Sequence, residues 1–359
     1  MVTAHIAGRP IGLDHPPFIV AELSANHNGS LQRALASIDA AARAGADAVK
    51  LQTYTPDTIT LDCRTEAFTI RGGLWDGESL YQLYQRAHTP FEWHAPLFER
   101  ARVAGIPIFS SPFDATAVDL LESLDAPAYK IASCELVDLP LIRRVAATGK
   151  PIILSSGMAG LVEIAEALEA ARAAGAADLI LLHCVSGYPT PADQANLRTI
   201  PDLAARFGVP VGLSDHSLGT AVPVAATALG AVLIEKHFML DDEEDSPDSA
   251  FSLTEPELAR LVADTRTAWS ALGAADYQVK PAEQETLRFR RSLYVVRDLA
   301  AGERLGPDSV RSIRPGFGLA PKHYEAVLGR AVVRAVSRGT PVTWDLLEPG
   351  QPPADTSST

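Results

Sequence analysis

The fold class predicted by the sequence is mixed α/β: a closed (β/α)8 TIM-type barrel followed by a small β-rich module. Three observations predict it. Eight short apolar runs recur at 18–23 (FIVAEL), 48–52, 106–111, 128–133, 151–156, 179–184, 210–216 and 232–237, each bounded by Gly, Pro, Ala or Asp. They are nearly continuous in hydrophobicity rather than alternating, which marks parallel strands covered on both faces. Each run also finishes in a residue able to do chemistry, such as Glu22, Lys50, Lys130, His216 or His237, and a closed βα barrel gathers its strand C-termini at one functional rim. Finally, 359 residues suit a barrel of about 250 residues with a second module attached.

The elements follow in order. Residues 4–15 read as a small capping hairpin, with turn residues between apolar positions. The first strand ends at Glu22, SANHNGS forms a loop, and 31–44 is an amphipathic helix stopped near Gly45. The second strand carries Lys50 and Gln52. After it comes a long excursion over 53–87, of the length that usually serves a binding site. A helix over 89–104 precedes a regular alternation, with helices near 115–124, 138–148, 160–174, 195–207, 218–229 and 255–271. Gly149 and Gly208 stop helices that feed directly into strands. Eight right-handed βα units close on themselves. The structural rival, an open doubly wound sheet, usually has fewer strands and a GxGxxG turn after the first, which is absent here. The domains are therefore expected at 1–273 (barrel), 274–290 (a polar linker), 291–348 (Val-rich strands between Gly and Pro turns) and 349–359 (a Pro- and Ser-rich tail expected to be disordered).

Composition narrows the class. Apolar residues make up 47% and aromatics only 6%, so Ala, Leu and Val do most of the packing. No run approaches the ~20 apolar residues of a membrane span, and the N-terminus lacks the basic-then-apolar order of a signal peptide. Three cysteines, Cys63, Cys134 and Cys184, have no metal-type spacing and suggest free thiols in a reducing cytoplasm. A formal charge of -13 argues against nucleic-acid or membrane-surface partners. It leaves room for an anionic substrate, because a few lysines focused in a cleft override the net field locally.

Several rim residues point to chemistry. His216 and His237 end adjacent strands about 4.8 Å apart, close enough for two imidazoles to share an ion while leaving positions open for water and substrate. Simple packing at the barrel mouth is an equal reading from spacing alone. Asp215 and Glu235 stand beside them as possible orienters. Lys50, Lys130 and Lys236 lie in apolar strands, where a charge is expensive to bury unless paired. Three at one rim favour a phosphate or carboxylate site over ion pairs with Glu22, Glu135 and Glu235, with Ser111, Ser133, Ser155 and Ser214 as neutral donors. Schiff-base chemistry at a lysine is a further alternative. Glu22 is a candidate base toward water or a hydroxyl, or else a salt-bridge partner. Tyr188 sits on the rigid turn SGYPTP, and Asp248 in SPDSAFS is placed to bond a polyol. The acidic run 241–245 reads as solvated loop.

Together the words AELSANHNG, VKLQTY, SSPFD, YKIAS, ILSSGM, YPTP, GLSDHSLG and EKHF, in that order, resemble the sialic acid synthase family. RRSLYVVRDLAAGE and IRPGFGLAP resemble the antifreeze-like (SAF) domain attached to those enzymes. The match runs over about residues 15–347. The resemblance implies condensation of phosphoenolpyruvate with an open-chain amino sugar to give a nine-carbon ulosonic acid and phosphate. LWDGESLYQLYQRAHTPFEWH, SPFDATAVDLLE and PDSAFSL are most similar to the pseudaminate branch, whose sugar is 2,4-diacetamido-2,4,6-trideoxy-L-altrose; the N-acetylneuraminate and legionaminate branches are the alternative. By this resemblance His216 and His237 would hold a divalent ion, Mn²⁺ ahead of Mg²⁺ or Co²⁺. Lys50, Lys130, Ser111, Ser133, Ser155, Ser186 and Ser214 would bind phosphoenolpyruvate, with Ser186 standing where relatives often carry Asn. Gln52, Tyr188 and Asp248 would face the sugar. Arg314 would reach it from a partner chain in a domain-swapped homodimer. A non-catalytic carbohydrate-binding protein is the alternative from another class.

Overall fold

A computed structural model describes residues 2–240 and 246–349. The acidic run 241–245 and the tail beyond 349 lie outside the described residues. The chain divides into two units between Gly273 and Ala274.

In the first unit, β1 (Ala4–Ile6) and β2 (Arg9–Ile11) pair as an antiparallel hairpin. The next eight strands are β3 (Phe18–Glu22), β4 (Ala48–Thr53), β5 (Ile108–Pro112), β6 (Tyr129–Ile131), β7 (Ile152–Ser155), β8 (Leu179–Cys184), β9 (Val211–Asp215) and β10 (Leu233–His237). All are parallel, each lies beside its neighbours in sequence, and β10 returns to β3 to close the barrel. The helix α1 (Leu31–Ala44) has the predicted bounds. Ser30 Oγ accepts from the Arg33 amide at its start, and Gly45, at φ 84°, takes the left-handed turn that ends it; only glycine does this at no steric cost.

The excursion after β4 is more ordered than a loop. It contains α2 (Pro56–Ile59) and α3 (Leu80–Ala87). Ser79 and Gln82 start α3 by capping each other's backbone amides, the reciprocal arrangement that satisfies two otherwise orphaned donors. The outer ring continues with α4 (Phe91–Ala104), α5 (Ala115–Ser123), α6 (Leu139–Ala146), α7 (Leu161–Ala173), α8 (Thr199–Phe207), α9 (Ala221–Ala228) and α10 (Glu255–Leu272).

Strand side chains alternate between faces, and that alternation makes two cores. Outward residues such as Ile19, Val49, Leu154, Leu181, Leu213 and Ile234 pack with the apolar faces of the helices. Inward residues Phe18, Val20, Ala48, Phe109, Ile153 and Leu233 fill the barrel together with Ala4, Ile6 and Ile11 of the hairpin. The predicted hairpin therefore plugs the end where the strands begin. Two residues further along each strand, the same inward face turns polar: Glu22, Lys50, Ser111, Lys130, Ser155, Ser214 and Glu235. The interior is apolar at one end and ionic at the other.

The second unit has one antiparallel pair, β11 (Ser292–Val295) with β12 (Val310–Ile313), a short α11 (Tyr324–Val327), and single bridges such as Leu299 with Val336. The expected Val-rich strands are mostly these bridges, because Gly and Pro turns interrupt the ladders. Leu293, Val295, Val310, Val332, Val342 and Leu346 form their own core. Residues 274–290, expected as linker, are exposed except for the half-buried Leu287 and include a 3₁₀ run over Pro281–Phe289.

Candidate active site

The polar end of the barrel opens into a cavity of about 580 Å³. Lys50, Gln52, Lys130, Ser133, Ser155, Tyr188, Ser214, His216, His237 and Asp248 all line it. The structure thus brings together residues spread from 50 to 248. Glu22 and Ser111 are fully buried just beneath.

The lysines are paired as well as exposed to the cavity. Lys50 Nζ lies 2.6 Å from Glu22 Oε2, 3.6 Å from Glu235 Oε1 and 3.3 Å from Ser111 Oγ. Lys130 Nζ lies 3.6 Å from the same Glu235 oxygen, which also accepts from Ser214 Oγ at 3.3 Å. Burial opposes the charge on Lys50, but Glu22 and Glu235 outweigh it and hold its pKa above the ordinary lysine range. Burial pushes Lys130 down, Glu235 opposes this, and the like charge of Lys50 adds to it. Burial alone would raise Glu235, yet Lys130 and Lys50 bring its pKa to about 2. Two lysines and two carboxylates are thus held against one another at the floor of the cavity, and an anion seated there finds the two cationic side chains already in place.

Beside them is a hydroxyl cradle. The Gly157 amide donates to Ser133 Oγ at 3.2 Å. A Cβ on Gly157 would fall 2.3 Å from Ser186 Oγ and 2.6 Å from Ser133 Oγ, so only a bare backbone lets these two hydroxyls converge. Ser155 Oγ is buried without a hydrogen-bond partner among the described residues. Buried hydroxyls are ordinarily satisfied, and this one faces a cavity where an anion would satisfy it.

The imidazole centroids of His216 and His237 are 5.3 Å apart. His216 Nδ1 lies 3.2 Å from the Val185 carbonyl oxygen, which can only accept, so the proton sits on Nδ1 and the lone pair on Nε2. His237 Nδ1 faces Asp248 Oδ2 at 3.5 Å, so a carboxylate stands behind this ring as the Val185 carbonyl stands behind the other. This carboxylate-or-carbonyl backing is the usual way a ligating imidazole is oriented. Burial raises Asp248, but its bonds with His237, and further with Ser24 and the Ala25 amide, hold it below the usual carboxylate range. Among the described residues no group of three or more His, Cys, Asp or Glu is arranged to hold a metal. The donors this end of the barrel offers are the two facing imidazoles, ligands of a kind that divalent ions take.

Gln52 Nε2 donates to Glu22 Oε1 and to Ser24 Oγ, both at 3.0 Å. The Tyr188 ring stands edge-on to His216 with centroids 4.6 Å apart.

Two expectations are corrected. Lys236 does not join the rim cluster: it is fully buried on the outward face, 2.5 Å from Asp215 Oδ2 and donating to the Ser217 carbonyl. Asp215 is engaged there and with Ser217, so it does not orient His216. Alternation is the cause, since His237 and His216 point inward and their neighbours must point out. Glu235 lies inward but serves the lysines. Arg314 belongs to the second unit and is exposed.

Of the residues that escaped sequence reasoning, three stand out. Phe251 is buried and packs edge-on to His237, centroids 4.8 Å apart, and tilted against Tyr188 at 5.2 Å. Gly157 and Trp75 are the others. Gly157 sits within SSGM, where a glycine between two strand-end serines and a helix was a readable signal. Nothing local marks Phe251 or Trp75.

The NeuB family model matches residues 37–277 and the SAF domain model residues 290–348. The chain belongs to the NeuB family. Among its relatives, the pseudaminic acid synthase of Helicobacter pylori is 48% identical over 334 residues, 93% of this chain and 98% of the relative. That of Campylobacter jejuni is 47% identical over 326 residues, 91% and 95%. The solved N-acetylneuraminic acid (sialic acid) synthetase of Leptospira borgpetersenii shares 34% identity with a TM-score of 0.71, covering 80% of this chain and 96% of that one. As a NeuB family member the chain carries the strand-end constellation on the expected barrel.

Proposed function

We propose that this chain is a pseudaminic acid synthase, joining phosphoenolpyruvate to 2,4-diacetamido-2,4,6-trideoxy-L-altrose to give pseudaminic acid and phosphate. The observation that carries the reading is near-half identity to synthases of that name along almost their whole length. A single cavity with an ionic floor and an imidazole pair supports it.

In this reading Lys50 and Lys130, with the hydroxyls of Ser111, Ser133, Ser155, Ser186 and Ser214, hold the phosphate and carboxylate of phosphoenolpyruvate. Gln52, Tyr188 and Asp248 hold the open-chain sugar. Fixing both substrates at one rim supplies the entropic part of catalysis. C3 of phosphoenolpyruvate attacks the C1 aldehyde, a C–C bond forms, the aldehyde oxygen takes a proton, and positive charge develops at C2. Water then adds at C2, and Glu22, set by Lys50 and Gln52, takes its proton. The tetrahedral intermediate loses phosphate by cleavage of its C2–O bond, and the remaining hydroxyl gives up its proton to become the ketone. His216 and His237 would hold a divalent ion, Mn²⁺ first with Mg²⁺ or Co²⁺ as alternatives, which when bound polarises a carbonyl as a Lewis acid.

The same reading has Arg314 reach the sugar from a partner's second domain, in a domain-swapped homodimer. It places the enzyme in the cytoplasm, where phosphoenolpyruvate is made and three free thiols stay reduced. No helix among the described residues is long and apolar enough to cross a membrane. A panel of three amino sugars tests the reading, with phosphate release from phosphoenolpyruvate as the signal. Turnover is expected with the diacetamido trideoxy altrose. Turnover of N-acetylmannosamine while that sugar stays inert would overturn the assignment. No release with any sugar would favour a carbohydrate-binding protein.

A further inference from the structure

The cavity has two chemically different sides. Charges and hydroxyls come from the strand ends. The other side comes from the excursion after β4, where Ile59, Ile70, Trp75, Leu80 and Leu83 line the same space beside the phenols of Tyr54 and Tyr84. The reaction as derived above uses none of them.

This wall is built into the site. Leu83 is buried, and α3 behind it is capped by Ser79 and Gln82. Trp75 Nε1 donates to the Pro247 carbonyl at 3.2 Å, next to Asp248 in the chain. The Trp75 ring stands 5.8 Å from that of Tyr188. The excursion is thus tied to Tyr188 and to the residue before Asp248; Tyr188 and Asp248 are two of the three positions proposed to face the sugar.

Apolar side chains facing a water-filled cavity gain free energy when a ligand with matching apolar surface covers them. Phosphoenolpyruvate has almost none, being a three-carbon unit with a phosphate and a carboxylate. The lysines and serines already account for its charges. The wall must therefore answer to the second substrate. A sugar hydroxylated along its length would leave hydroxyls against Ile and Leu with no partner, which is unfavourable. A sugar ending in a methyl group and carrying acetamido methyls would not.

We infer that the apolar wall of the excursion, centred on Ile70, Trp75 and Leu80, is the element that selects a sugar with a terminal methyl and N-acyl groups over its terminally hydroxylated counterpart. The inference rests on the functional reading above and names the part of the site that sets its specificity. These are specificity residues that contact substrate without taking part in bond making.

The test uses Ile70→Thr, Leu80→Thr and the double variant in the full chain. Ile70 and Leu80 are half-buried, so a smaller side chain with a hydroxyl is compatible with folding, which thermal unfolding checks. For each enzyme, kcat/KM is measured with the diacetamido trideoxy altrose and with the same sugar bearing a hydroxyl at C6. KM for phosphoenolpyruvate is the control. The wild type is expected to prefer the 6-deoxy sugar by roughly tenfold or more, the usual range for one group in an apolar pocket. In the double variant that preference should shrink by about tenfold while KM for phosphoenolpyruvate stays put. An undiminished preference in a folded double variant overturns the inference. So does a wild type that uses both altrose sugars equally well, and in that case the functional reading survives. A wild type that uses N-acetylmannosamine and neither altrose sugar removes the functional reading first and the inference with it.

Discussion

Replacing Gly157 by alanine is the sharpest test of the hydroxyl cradle. The new methyl would sit 2.3 Å from Ser186 Oγ and 2.6 Å from Ser133 Oγ, far inside the ~3.5 Å of a comfortable contact. The two nearest atoms are side-chain tips that can rotate away, and Ser133 Cβ, at 3.0 Å, has to give by only a few tenths of an ångström. Each displaced hydroxyl then loses its bond to an anionic ligand. A hydrogen bond to a charged group contributes about 1.5–3 kcal/mol, which corresponds to roughly ten- to a hundredfold in kcat/KM for one lost contact. Steady-state phosphate release should show KM for phosphoenolpyruvate rising by at least about tenfold, KM for the sugar nearly unchanged, and a melting temperature within a few degrees of the wild type. Ser133→Ala, which removes one hydroxyl without a clash, should move the same constant in the same direction by less. An unchanged phosphoenolpyruvate KM in both variants would refute the assignment of this cradle to that substrate.

Glu135 also lines the cavity, and burial lifts its pKa from 4.5 to about 7. Below about pH 4.5 it is protonated folded or unfolded and costs nothing; above pH 7 it is ionised in both states and the folded chain bears the desolvation. Glu135→Gln should therefore stabilise the first unit by about 3 kcal/mol at pH 8 and by almost nothing near pH 4, read by chemical denaturation; equal effects at both pH values would contradict this account. Lys236→Met leaves Asp215 as a buried unpaired charge and should destabilise by about 3–5 kcal/mol, while the folded fraction keeps its KM for phosphoenolpyruvate; a large KM rise would return Lys236 to the substrate site. His216→Ala should stay folded and weaken Mn²⁺ binding, followed by the free-ion paramagnetic signal, by at least roughly tenfold; unaltered affinity would take His216 out of the ligand set.

How much of this was legible in the sequence depends on where each contact originates. The eight barrel strands were readable because burial on both faces leaves uninterrupted apolar runs such as LILLHC and FIVAEL. The rim residues were readable because they end those runs. What went astray at Lys236 was parity: once His237 is taken to point inward, Lys236 must point outward, and the same rule puts Glu235 beneath the lysines and Asp215 outside the barrel. That information was present and unused. The helix α3 was also readable in principle from Ser79 and Gln82, but a helix of only eight residues within a long excursion gives too short a period to stand out from loop. Phe251 and Trp75 are different. Their ring contacts with Tyr188 depend on how separate loops meet in space, and no local period encodes that. In the second unit, the Val-rich runs do pack into a core, but turns placed every few residues cut the ladders to single bridges.

The account stands most directly on one measurement: mass spectrometry of both products formed from phosphoenolpyruvate labelled with ¹⁸O at the bridging position and the diacetamido trideoxy altrose. The predicted result is unlabelled pseudaminic acid with the heavy oxygen in phosphate. Label retained in the sugar acid, or no nine-carbon acid from this pair of substrates, would contradict it.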